Sequence, residues 1–133
     1  MSSLQVDNIQ SYNANPPLVK NVSGNQVGTF CRAWVNFNGT GTVAIRQSFN
    51  VSSITDNGAG DYTVNFTNAL ADADYSSFAS VSFGSGGYNF PMVNTNSSAL
   101  ITAPTTSSMR FVVLNYNATA WSDPTYAQIA IFR

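Results

Sequence analysis

From Cys31 onward the chain alternates apolar and polar residues in short runs, and Gly, Asn, Asp or Pro breaks each run. A period of two sends successive side chains to opposite faces, as a strand does and a helix does not. Cys31-Arg32-Ala33-Trp34-Val35-Asn36-Phe37 alternates, Asn38-Gly39-Thr40-Gly41 supplies a turn, and Thr42 to Phe49 alternates again, which predicts a hairpin. Across it, Arg32 and Arg46 are expected to face one another and to be exposed or to meet another subunit. Runs of this length, each with one apolar face, predict an all-β fold, an antiparallel β-sandwich of jelly-roll-like type.

Asp56-Asn57-Gly58-Ala59-Gly60-Asp61 reads as the strongest turn, with positive φ expected at Gly58, between strands Val51–Thr55 and Tyr62–Thr67. Further strands are expected at Ser77–Phe83, Tyr88–Val93, Ala99–Thr102, Met109–Tyr116 and Tyr126–Phe132, about nine in all. Gly84-Ser85-Gly86-Gly87 would join the first two of these. Asn68 to Ala73 is the stretch that could make a helical turn. Residues 1–30 hold few large apolar side chains and include Pro16-Pro17 and Ser23-Gly24-Asn25, so they read as an extended N-terminal arm ahead of a single domain over 31–133. Within the arm, Leu4, Val6 and Ile9 are the candidates for docking on another protein.

The 133 residues suit one core, which buries roughly two thirds of the surface of the unfolded chain. Charged residues are 8% of the chain, and Asn, Ser, Thr and Gln supply the polar surface. With a formal charge of −1 there is no field to hold a phosphate backbone, so nucleic acid is not expected as a partner. Phe111-Val112-Val113-Leu114 is as long as any apolar run in the chain and is far short of a membrane span, and neither membrane insertion nor a secretory leader is expected. Asn-x-Ser/Thr triplets begin at Asn21, Asn38, Asn50, Asn65, Asn96 and Asn117, and read as chance in so Asn-rich a chain.

The chain contains no His and no Glu, which removes the Ser-His-Asp triad, the Cys-His pair and His-ligated zinc together. The single Cys31 has no disulfide partner and, in phase with Ala33, Val35 and Phe37, is expected to be a buried, inert thiol. Asp pairs remain. Asp56 with Asp61 and Asp72 with Asp74 supply the minimum carboxylates for glycoside hydrolysis, but both pairs sit where Asp serves turns and connections. Asp72-Ala73-Asp74 also lacks the rest of a calcium loop. Neither an enzyme nor a cofactor is expected; a glycan depolymerase is the remote alternative.

Aromatic residues make 13% of the chain. Trp34, Phe37, Phe49, Tyr62, Phe66, Phe83, Phe111 and Phe132 lie within strand patterns as core or interface. Tyr116, Trp121 and Tyr126 fall in or beside the polar loop Asn117–Thr125, where rings flanked by Asn117, Ser122 and Asp123 would suit a host-surface glycan or protein.

Ala33-Trp34-Val35-Asn36-Phe37-Asn38-Gly39-Thr40-Gly41-Thr42-Val43-Ala44-Ile45-Arg46, continued through Ser48 to Gly58 and Gly60 to Phe66, resembles a domain recurrent in tail-fibre-like proteins of marine and freshwater phages, including cyanophages. Ser3-Leu4-Gln5-Val6-Asp7-Asn8-Ile9-Gln10 is similar to the short N-terminal arm such proteins carry, and the likeness spans residues 3–10 and 33–75. It implies a structural virion protein assembled in the host cytoplasm, a homotrimer attached to other virion proteins through its arm. A short trimeric tail fibre or adhesin is the expected role, with a capsid decoration or head-fibre protein as the alternative. The sparse charge points to oligomers independently, because strand edges without Lys or Glu have little to stop them associating.

Overall fold

The computed structural model describes residues 5–10, 17–83, 89–95, 102–115 and 120–133, and the chain divides into two compact units, Met1–Phe30 and Cys31–Arg133. In the first unit, β1 (Val19–Lys20) pairs antiparallel with β2 (Gln26–Gly28). Asn21 makes the turn between them. Its side-chain oxygen accepts from the Ser23 and Asn25 amides at 3.0 Å each, and Gly24 takes φ 82°. A reading of residues 1–30 as wholly extended misses this hairpin, whose strands are too short to show a period.

The second unit is a β-sandwich of two four-stranded antiparallel sheets. Its strands are β3 (Cys31–Asn38), β4 (Ala44–Phe49), β5 (Val51–Gly58), β6 (Asp61–Phe66), β7 (Ser76–Ser82), β8 (Asn89–Val93), β9 (Ser108–Asn115) and β10 (Tyr126–Phe132). One sheet has the order β4-β3-β10-β7, the other β5-β6-β9-β8. The alternation decides which side of each strand is buried. Ala33, Val35 and Phe37 of β3 and Ala127, Ile129 and Ile131 of β10 turn inward, and Tyr62, Val64, Phe66, Met109, Phe111 and Val113 of β6 and β9 meet them. Phe37 sits edge-on to Tyr62 and Phe111, at centroid distances of 5.2 and 5.9 Å, and so joins the two sheets.

The structure corrects several expectations. The Asp56–Asp61 segment is not one open turn: β5 runs to Gly58, with a bulge around Asn57, and the loop proper is Ala59-Gly60. Gly58 does take positive φ, 126°, and Gly60 takes 63°. Residues 68–73 form no helix. Six residues cannot offset helix nucleation, and tertiary contacts hold the segment instead: Leu70 is buried and its amide donates to the Thr106 carbonyl at 2.8 Å. Arg32 and Arg46 do not face one another, because a bulge drops Arg46 out of the ladder between Gln47 and Ile45 while Arg32 lies beyond the last pair. Cys31 is half-buried, its thiol 3.2 Å from the Ala33 carbonyl. Thr102 lies outside any strand, and residues 99–101 of that expected strand, like the 84–87 connection, lie outside the described residues.

Two tyrosines couple the core to alkaline pH. Burial, then the hydrogen bond to Asp123, raises the Tyr62 phenol far above its ordinary range, and burial pushes Tyr75 up to about 12. A fold that favours the neutral phenol is stabilised below the ordinary pKa of 10.0 and loses that stability as pH rises past it. The melting temperature is therefore expected to fall steeply above about pH 10, and Tyr62→Phe and Tyr75→Phe should each flatten that fall when melting is followed against pH.

Candidate functional site

Strands β3, β7 and β10 of the β4-β3-β10-β7 sheet each direct one apolar phase at the core, and several aromatic residues stand on the other side of the sheet. Register assembles them. Phe49 pairs with Trp34, Trp34 with Ala130 and Ala130 with Phe78, so one row crosses all four strands on the outer face. Phe49 is 54% exposed and Phe78 65%. Phe132 stands edge-on to Phe78 at 6.1 Å. The next row is Gln47, Asn36, Gln128 and Ser80, joined by the same pairings. Between the Trp34 and Phe78 rings runs an open groove of about 390 Å³, floored by Ala130 and reaching Asn36, Gln128 and Ser80. The Asn36 Oδ1 atom is buried there with no hydrogen-bond partner.

The outer face of the other sheet is built differently, because its polar groups satisfy one another. Asn65 Nδ2 donates to Ser53 Oγ and Thr55 Oγ1, and Asn57 Nδ2 to Thr63 Oγ1 and Asp61 Oδ1. The Asp61 carboxylate is fully buried and takes a bidentate pair from Arg110, at 2.7 and 2.8 Å. The hydrogen bond to Asp61 raises the Arg110 pKa, holding the guanidinium charged.

At the end of the sandwich that carries the Ala59-Gly60 loop, the chain is knotted by polar contacts. Asp123 Oδ1 accepts from the Gly60 amide at 2.6 Å and from the Tyr62 hydroxyl at 2.7 Å, and the Gly39 carbonyl lies 3.1 Å from the same hydroxyl. The Gly39 amide donates to the Pro124 carbonyl. Asp56 Oδ1 accepts the Gly58 amide, and Asp72 pairs with Arg133 while its Oδ1 also accepts the Asp74 amide. The hydrogen bond from Arg133, then that from Asp74, holds the Asp72 carboxyl below its usual range. Four of the Asp side chains considered for chemistry or turns are thus already engaged in holding loops and strands.

Tyr116 and Leu4 lie outside the described residues; Val6 and Ile9 are exposed, at 52% and 62%. Trp121 is not free in a loop. Residues 120–122 run back along β9: Leu114 bridges Trp121, the Asn115 amide donates to the Ala120 carbonyl and the Ser122 amide to the Val113 carbonyl. Trp121 is half-buried there. Tyr126 opens β10 and stands on the outer face of the first sheet, 45% exposed, under the Arg46 guanidinium at 4.1 Å from the ring centre. The two rings therefore attach to different sheets. Sequence reasoning missed Phe78 and the row it completes; the available signal was its phase, opposite to Ala79, Val81 and Phe83.

Compared with protein-family models, with curated proteins and with solved structures, the chain matches none.

Proposed function

We propose that the protein is a structural virion protein of a bacteriophage, a short homotrimeric tail fibre or adhesin whose arm attaches to other virion proteins and whose sandwich contacts the host surface. The observation that carries this reading is the contrast between the two units. Among the described residues, the large buried side chains all belong to the sandwich, whereas Val6, Ile9, Leu18, Val22 and Phe30 of the arm unit are exposed, as attachment residues are before they meet a partner. The resemblance of residues 3–10 and 33–75 to phage fibre proteins supports the same role. So does the engagement of Asp56, Asp61, Asp72 and Asp123 in ion pairs and loop contacts, which favours binding over hydrolysis.

Host contact is assigned to Trp121 and Tyr126, with Tyr116, as rings beside amides and hydroxyls that suit a neutral glycan. The test is adsorption of the parent particle in competition with the purified full chain. Trp121→Ala is expected to weaken competition about thirtyfold, the effect of losing a ~2 kcal/mol contact. Main-chain bonds from Asn115 and Ser122 hold the segment, so the sandwich should melt within a few degrees of the parent. Unchanged competition removes Trp121 from the contact. Val6→Asp with Ile9→Asp should release the protein from particles, and an antibody label found over the shell rather than the tail would overturn the tail-fibre placement.

A further inference from the structure

We infer that the groove along β10, between the Trp34 and Phe78 rings, is a binding site for a neutral carbohydrate chain. The inference rests on the adhesive reading and gives it a place, on the sheet that carries Tyr126 rather than on the one that carries Trp121.

Register builds the groove. Trp34 on β3 and Phe78 on β7 both pair with Ala130 of the strand between them, so two large rings flank a single methyl group. The walls stand two strand spacings apart, roughly 10 Å. That admits one further ring in contact with both, at about 4.5–5 Å from each centroid. The volume of about 390 Å³ lies within the range of small-ligand sites, roughly 300–1,000 Å³.

The chemistry of the lining selects the ligand. Beside the aromatic slot, Asn36, Gln128 and Ser80 form a polar row across the same three strands. A pyranose ring has the matching two-part surface, C–H bonds on its faces and hydroxyls on its rim. Each hydroxyl both donates and accepts, as amides and serine together require. Asn36 Oδ1 is buried with no donor from the protein. A turn of that amide about its terminal torsion brings it to a hydroxyl in the groove and removes the penalty of an unpaired acceptor.

Other ligand classes meet less of this lining. No side chain of the groove is charged, so a phosphate or carboxylate finds no counter-ion there. A hydrocarbon chain would bury the amide row unpaired. A peptide strand joins a sheet through its edge, whereas the groove lies on a face whose strands have already paired their main chains. A polymer of rings is also what the floor suits, because the outward positions of β10 run Tyr126, Gln128, Ala130 and Phe132. A chain laid along the groove passes from the Trp34–Phe78 slot over the amides to the Tyr126 ring, which Arg46 covers from its far side at 4.1 Å.

The experiment titrates the full chain with cellohexaose, maltohexaose and mannohexaose, and with hexagalacturonate as the charged counterpart, by calorimetry and tryptophan fluorescence. At least one neutral hexasaccharide is expected to bind and to change the fluorescence, and hexagalacturonate is not. Ala130→Leu fills the slot while keeping both rings, and Phe78→Ala removes a wall at a position 65% exposed. Each should weaken binding about tenfold or more, with circular dichroism unchanged. Phe90→Ala, exposed on β8 of the other sheet, should bind as the parent does. Binding that survives both groove variants and is lost on Trp121→Ala overturns the inference and leaves the adhesive reading standing. A parent that binds none of the neutral probes, or prefers hexagalacturonate, also overturns it, and competition for particle adsorption then decides the adhesive reading separately. An oligomer that ignores the probes and dissociates on Ala130→Leu would show that another subunit occupies the groove, and the inference falls.

Discussion

Gly60→Ala is expected to cost about 4 kcal/mol, because backbone strain and a main-chain clash add at that position. Gly60 has φ 63°, where a residue with a Cβ loses about 1–2 kcal/mol. The added carbon would also stand 2.6 Å from the Ser122 amide nitrogen, 2.7 Å from the Val113 carbonyl and 2.9 Å from the Ser122 carbonyl. These are main-chain atoms and cannot swing aside. Relief requires the 120–122 segment to leave β9, which breaks the Ser122–Val113 hydrogen bond, and the loop to shift from Asp123, which accepts the Gly60 amide. Gly58→Ala, two residues away at φ 126° with open space where the Cβ would go, meets backbone strain without a clash and should cost about 2 kcal/mol. Urea midpoints for the two variants check this; equal losses would show that the close approach to Ser122 is not what requires glycine at 60.

Arg110→Ala should cost about 3 kcal/mol. Removing one partner of a buried pair leaves the other charge without compensation, at about 3–5 kcal/mol, and the low end applies because the Arg110 side chain is 27% exposed and water can partly follow it in. Asp61, at 0% exposure, is the group left behind. Asn57 Nδ2, at 3.3 Å, is a weaker donor that stays beside it. The reverse change, Asp61→Asn, should cost less, since Arg110 can turn its guanidinium to solvent. Thermal melts of both variants give the order, and a larger loss from Asp61→Asn would mean that the carboxylate itself organises the loop.

Strand periodicity made most of the sandwich legible. In β3, β6 and β10 the apolar phase of the sequence is the buried phase of the structure, and the Asn38–Gly41 turn falls between β3 and β4 as its residues require. The off-phase aromatics were legible one at a time: Trp34, Phe78, Tyr126 and Phe132 each break the polar face of their own strand. Strand ends were harder, because Asp56-Asn57-Gly58 has turn chemistry yet is drawn into β5 by pairing with β6.

What the sequence by itself determined is local: which side of each strand is apolar, where the chain must turn, how little charge there is, and that no imidazole exists. Only the tertiary structure decided what those sides meet. Phe49, Trp34, Ala130 and Phe78 lie far apart along the chain and become one row because β10 inserts between β3 and β7 in a particular register. Asp61 and Arg110 are 49 positions apart, and Tyr62 and Asp123 are 61 apart. A two-residue period fixes the direction of each side chain along its own strand but carries no information about the neighbouring strand. Strand order and register come from the fit of two apolar faces around Phe37, Tyr62 and Phe111, and a one-residue slip would reverse every side chain they place.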